Sequence, residues 1–455
     1  MLTYAISAAP RAPRSRSGAL LSLWLAAVAA GCSGLLDVEN PNNISIESLD
    51  DPAGAASLAN GALAVLTRGW GNIMTPYSEA TDELTWIGSR DAWGDLDAGY
   101  LSGITNEFVD ASFPDVAQAR WMADEAIKRL SAFYTAGVLP DDNDLARSYL
   151  YGALAYTMIG DIFDDFPISS NRTDAGPPLG PANMAQVYDT AIAYTTRGLA
   201  VVNDPDIQLA LTAMRARARH GKVVWQKLNP FSAATLANPL VNDAVAVTDA
   251  NAALALATSL VNADWKFQYT YSSEQIDGSG IGFEVNQRLE SRIGDPYIVP
   301  TADNKSVASI KLNDPINGTA DPVLTAIINE FTTGVQYGPL TVLSARELHL
   351  IVAEAALAAG NTAGFTTSIN RVRALNAGLT PYDPANPAHP LPPAMLQHER
   401  RVNLFLQGRR LNDHYRFGVA ADKWPSNAEA VLAPGTLFPI TLVEILANCN
   451  INPAC

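Results

Sequence analysis

The chain has 455 residues, 48% of them apolar and 17% charged, enough to bury a large core and too apolar for a disordered polymer. With 30 basic against 46 acidic residues the formal net charge is −16, which disfavours a nucleic-acid or anionic-lipid surface and points to a neutral or cationic ligand.

At the N-terminus, Arg11, Arg14 and Arg16 precede an uncharged run from Gly18 to Ala30, closed by Ala29-Ala30-Gly31-Cys32. That order of charge, apolar run and small residues reads as a secretory signal over residues 1–31. The run is short for a membrane span, and small residues before a cysteine have the form of a bacterial lipobox, in which the Cys32 thiol is lipidated and becomes the new N-terminus. No later segment reaches the roughly 18 consecutive apolar residues of a membrane helix, so the body is expected to be soluble and held by lipid alone. Residues 32–48, with Pro41 among asparagines, suit an extended tether, and 49–455 are expected to form a single domain.

Small and apolar residues then recur at helical spacing over 52–67, 114–135, 144–160, 183–202, 207–228, 245–262, 344–359, 363–375 and 393–407, which predicts a mainly α fold. Ser344 and Glu347 have the spacing of a capping box, and Gly360 stops the helix that they open. Asn361 leads into a second helix carrying Phe365, Ile369 and Val372, so that Ser344 to Leu375 has the length of one tetratricopeptide-type hairpin. Long irregular stretches are expected at 69–113, 164–181, 266–343 and 376–392. Within them Phe267–Tyr271 and Pro296–Val299 have strand character, suggesting a few short hairpins. The last two cysteines, Cys449 and Cys455, are candidates for a disulfide in an exported compartment.

Four stretches resemble the SusD/RagB family of nutrient-uptake outer-membrane lipoproteins. Leu35-Leu36-Asp37-Val38-Glu39, then Pro41 and Ile44, follow the lipobox; Ile159-Gly160-Asp161 precedes Phe166-Pro167; Ala353-Glu354-Ala355 precedes Ile369-Asn370-Arg371-Val372-Arg373. The fourth runs from His398-Glu399-Arg400-Arg401 through Gly408-Arg409-Arg410 and Asp413 to Arg416-Phe417-Gly418, with Leu437-Phe438-Pro439-Ile440 and Glu444 beyond. The chain departs from the family at Asn403 and Gln407, where glutamates are favoured, and at Phe417, where tryptophan is. The resemblance implies a SusD-like α/α superhelix with four tetratricopeptide-like hairpins and an irregular ligand-facing portion. It also implies a partner, a TonB-dependent (SusC-like) outer-membrane barrel, and a place on the cell surface.

Among residues that might carry chemistry, Glu399, Arg400, Arg401, Arg409, Arg410 and Asp413 interleave with apolar neighbours and read as a partly buried structural network. Asp161, Asp164 and Asp165 lie at or beyond a helix C-terminus, where negative charge needs a compensating arginine or cation. The five histidines lack metal-ligand spacing, and no nucleophile elbow or phosphate loop is present, so no catalysis, metal or cofactor is expected. For binding, Trp70, Tyr77, Trp86, Trp93 and Tyr100 alternate with polar residues. Sugar C–H faces stack on rings while hydroxyls need directional partners, so Trp86, Trp93, Tyr77 and Tyr100 with Asp91 and Asp95, and Arg90 beside them, are the candidate ligand surface. Tyr269 and Tyr271 are weaker candidates. The expected function is non-catalytic capture of an oligosaccharide or a peptide for delivery to the barrel. A tetratricopeptide-type scaffold for other proteins and a secreted helical glycoside hydrolase are the alternatives.

Overall fold

A computed structural model of the chain describes residues 47–170, 175–272, 279–333 and 335–455. Cys32, the signal segment and nearly all of the tether lie outside the described residues, as does Gly278. Residues Pro52–Cys455 form one compact unit.

Helix starts are written in side-chain caps. Asn106 accepts from the backbone N–H groups of Phe108 and Val109, Asp141 from Asn143, Asp204 from Asp206 and Ile207, and Asp243 from Val245 and Ala246. The helices are α1 (Ala55–Glu79), α2 (Asp91–Asp97), α3 (Glu107–Thr135), α4 (Asp142–Ile162), α5 (Ala185–Val201), α6 (Pro205–Leu228), α7 (Ala244–Leu260), α8 (Pro322–Thr333), α9 (Ala345–Ala358), α10 (Thr362–Ala374), α11 (Pro392–Asn403) and α12 (Arg410–Phe417), with a few shorter turns. Four hairpins result: α1 packs on α3, α4 on α5, α6 on α7, and α9 on α10. Each hairpin also packs on the next, through α3 with α4, α5 with α6, and α7 with α9. This is the mainly α, tetratricopeptide-like arrangement that the periodicity and the resemblance called for.

Two expectations need correction. Residues 69–113 are largely helical, because α1 continues through Gly69, Gly71 and Pro76 to Glu79. Gly69 is small where α3 crosses; a Cβ there would lie 3.0 Å from the Asp115 carbonyl oxygen. Close packing therefore holds together a helix that local propensity would end. Residues 266–343, read as irregular, contain α8, whose first turn is capped by Asp321 through Val323 and Leu324 N–H at 2.8 and 3.2 Å.

Strands are few and short. β1 (Leu84–Trp86) pairs antiparallel with β3 (Ser291–Ile293), placing Trp86 opposite Ser291 and Leu84 opposite Ile293. β2 (Lys266–Tyr269) pairs with β6 (Leu340–Ser344), and β4 (Ile298–Pro300) forms a hairpin with β5 (Val307–Ile310). Cys449 and Cys455 are joined in a disulfide with Cα atoms 5.2 Å apart. No helix of the described residues is long and apolar enough to cross a membrane.

Candidate functional site

The arginine-rich motif lies inside the protein, where it ties α11 and α12 to the hairpins. Glu354 of α9, with no exposed surface, accepts from both Arg416 and Arg400 and from His220 of α6. Burial alone would raise its pKa, yet Arg416, His220 and Arg400 hold it well below the ordinary carboxylate range. Asp413 is shared by Arg400 at 2.8 Å and Arg416 at 2.8 Å. Glu347 was expected to complete a capping box. Ser344 does accept from its N–H at 3.2 Å, but the Glu347 carboxylate turns away to Arg409 at 2.7 Å.

The departures from the family pattern have a local logic. Asn403 donates to Glu399 at 2.8 Å and accepts from Arg346 at 2.8 Å, two opposite roles that an amide combines and a carboxylate cannot. Phe417 presents its ring to the Arg416 guanidinium at 4.2 Å. Asp161 is compensated by Arg217 at 2.6 Å and also accepts from Tyr188 at 2.8 Å. Asp165 accepts from the N–H groups of Phe166 and Gly180, a turn-forming role, and burial together with Asp165 pushes Asp164 up to about 7. Asp314, Asp321 and His398 converge, but Asp314 holds Arg373 and Asp321 holds the first turn of α8.

The aromatic stretch is divided by burial. Tyr77 has no exposed surface, and its hydroxyl accepts from Leu411 N–H. Trp93, 2% exposed, stacks on Phe108 with ring centroids 3.4 Å apart. Both rings are occupied by packing and offer no face to a ligand, because α2 folds back onto α3 instead of projecting from the surface. Tyr269 and Tyr271 are buried likewise. Trp86 and Tyr100 are half-buried, and Gly94 closes against the Trp86 ring. Asp91 and Asp95 are exposed, and Arg90 is paired with Glu107 at 2.7 Å.

Beside β3 opens a cleft of about 620 Å³ that the sequence reading did not identify. The turn Glu284–Arg288 supplies Asn286 and leads to Leu289, which sits at φ 59° in the left-handed region, a conformation costly for a side chain of this size. The β4–β5 hairpin supplies Ser306 and Ser309, and α8 supplies Thr325, Asn329 and Thr332. The Thr325 and Thr332 hydroxyls donate to the Asp321 and Ile328 carbonyls and keep lone pairs to accept with, Asn286 donates to the Phe331 carbonyl, and Val285, Ile293, Val307, Ile310 and Ile328 form the apolar part of the lining. Arg292 is also part of the lining, with its guanidinium held by Asp295 at 2.6 Å and Asn304 at 3.0 Å. The lining contains no aromatic ring and no carboxylate. One signal could have revealed it: Thr325, Asn329 and Thr332 recur at helical spacing, a polar stripe on an otherwise apolar segment.

Such a chain, with hairpins of helices locked by buried arginines and a few short two-stranded sheets, belongs to the class of mainly helical, tetratricopeptide-like folds. Residues 345–433 match the model of the SusD family. The fold matches a SusD superfamily protein from Bacteroides fragilis (TM-score 0.64, 16% identity, 88% of this chain and 99% of that one). It also matches a SusD-like carbohydrate binding protein from Bacteroides vulgatus ATCC 8482 (0.58, 12%, 88% and 97%) and a SusD superfamily protein from Parabacteroides distasonis ATCC 8503 (0.58, 15%, 90% and 98%). Comparison with curated proteins gave no match. Over residues 345–433 the chain carries the SusD family's sequence pattern, and its fold is SusD-like.

Proposed function

We propose that the protein is a non-catalytic surface lipoprotein, anchored in the outer membrane through Cys32, that binds an oligosaccharide or a peptide and passes it to a TonB-dependent barrel. The observation that carries the binding part is the 620 Å³ cleft, whose lining mixes the hydroxyl and amide groups of Asn286, Ser306, Ser309, Thr325, Asn329 and Thr332 with apolar side chains. Hydroxyl-rich ligands need that chemistry, and shallow, wet contacts of this kind permit release. A fold neighbour described as a SusD-like carbohydrate binding protein supports the choice of sugar. The partner barrel and the lipid anchor rest on the family resemblance and on the lipobox sequence.

Trp86, Tyr100, Asp91 and Asp95 form a secondary candidate surface, since these four keep exposed area. Calorimetry against a glycan panel separates the two. Loss of binding in Ser309→Trp with retention in Trp86→Ala assigns the cleft, and the reverse assigns the Trp86 surface. Co-purification of a barrel with the protein from outer membranes tests the partnership.

A further inference from the structure

Asp82 carries more positive charge than one carboxylate balances. Its oxygens accept from Arg410 at 2.7 and 2.7 Å, from Arg401 at 3.2 Å and from the Tyr297 hydroxyl at 2.9 Å, and His414 Nε2 lies 3.3 Å away. Neither Arg401 nor Arg410 has a second acidic partner among the described residues, because neighbouring Asp413 is taken by Arg400 and Arg416. Arg401 is braced over the Tyr297 ring at 4.5 Å, and its Nε is buried without a hydrogen-bond partner. The Nη1 groups of both arginines likewise make no hydrogen bond among the described residues.

Both guanidinium groups line one pocket of about 200 Å³, with Gln397, His398, Phe417, Val419 and Asp413 completing its wall, the Asp413 carboxylate being paired with Arg400 and Arg416. His398 is paired with Asp321 at 2.9 Å. Two rigid forks with unspent donors, held by a shared buried carboxylate, match the planar or tetrahedral arrangement of oxygens in an oxyanion. The protein as a whole is strongly acidic, so its long-range field opposes anions; a bound anion here would depend on local geometry.

We infer that the Arg401–Arg410 pocket is an anion site, separate from the cleft, which takes a carboxylate or a tetrahedral oxyanion, free or carried on a small sugar acid. Phe417 and Val419 give it an apolar side against which the body of such an acid packs. The test is calorimetry and thermal shift on the full chain with inorganic phosphate, sulfate, glucuronate and glucose, each against sodium chloride at equal ionic strength. Saturable binding of phosphate or sulfate is expected for a free oxyanion and of glucuronate but not glucose for a sugar-borne carboxylate, weakened at least about tenfold in Arg401→Gln, the loss of a charge-assisted pair. Gln397→Trp, which fills the pocket without touching an ion pair, is expected to weaken binding in the same way should Arg401→Gln disturb folding. Binding of no oxyanion beyond the chloride control overturns the proposal, and so does binding that survives both substitutions unchanged.

Discussion

Glu354 shows how much of the familiar motif is spent on holding the protein together. It has no exposed surface and lies among Arg416, Arg400 and His220, so removing its charge leaves two buried guanidinium groups to share the single carboxylate of Asp413. Glu354→Gln is expected to cost about 3–5 kcal/mol in urea unfolding, the usual penalty for breaking a buried pair. A loss under about 1 kcal/mol would show the network to be dispensable, as surface pairs are. Other acids have no ion-pair partner among the described residues, although Glu83 and Asp97 accept from the Leu406 and Trp86 N–H groups. Burial, and then Asp97, raises Glu79 well above the carboxylate range; burial first pushes Asp97 up to about 7 and Glu83 up to about 8. Native-state pKa values raised in this way give stability that is complete below the ordinary carboxylate pKa and lost as pH rises through about 7 to 8. The melting temperature should therefore fall from pH 5 to pH 9, and less steeply in Glu79→Gln. Equal slopes would remove Glu79 from the account. The structural role of these charges was legible from their interleaving with apolar residues, whereas their partners were not, because Asp82 and Arg410 lie 328 positions apart in the chain.

At the scale of elements, close approach sets the hairpins. A Cβ on Gly160 of α4 would lie 2.7 Å from the Tyr188 ring and 2.7 Å from a Val187 methyl, both on α5. Gly160→Val should lower stability by about 1–3 kcal/mol through overpacking, read from the denaturation midpoint. No change would mean that α4 and α5 are free to part. The hairpins themselves were visible in the sequence because capped, amphipathic segments announce both ends; the pair from Ser344 to Leu375 is the clearest case. Helix α1 beyond Thr67 was not visible, since Gly69, Gly71 and Pro76 argue locally for a break and only the contact with α3 reverses that. The cleft was hidden for a related reason. Its walls come from Val285–Ile293, Lys305–Ile310 and Ala320–Thr332, and β-pairing and helix packing, not sequence proximity, bring them together. The tryptophans drew the sequence reading toward 70–100, where burial of Trp70, Tyr77 and Trp93 shows packing to be their main work.

For the molecule as a whole, the proposed function requires an exported chain held by lipid and a cleft that loads and unloads. Replacing the acceptor of the lipid, Cys32→Ser, should shift the protein from the membrane to the soluble fraction and remove the acyl mass from its mature N-terminus. Retention on membranes without acylation would contradict the anchor. The central claim is ligand capture in the cleft beside β3, and calorimetry of the purified protein with neutral oligosaccharides and short peptides, compared with Ser309→Trp, tests it most directly. The account predicts saturable binding by the wild type that Ser309→Trp abolishes while leaving the melting temperature in place. Equal binding by both proteins would contradict it.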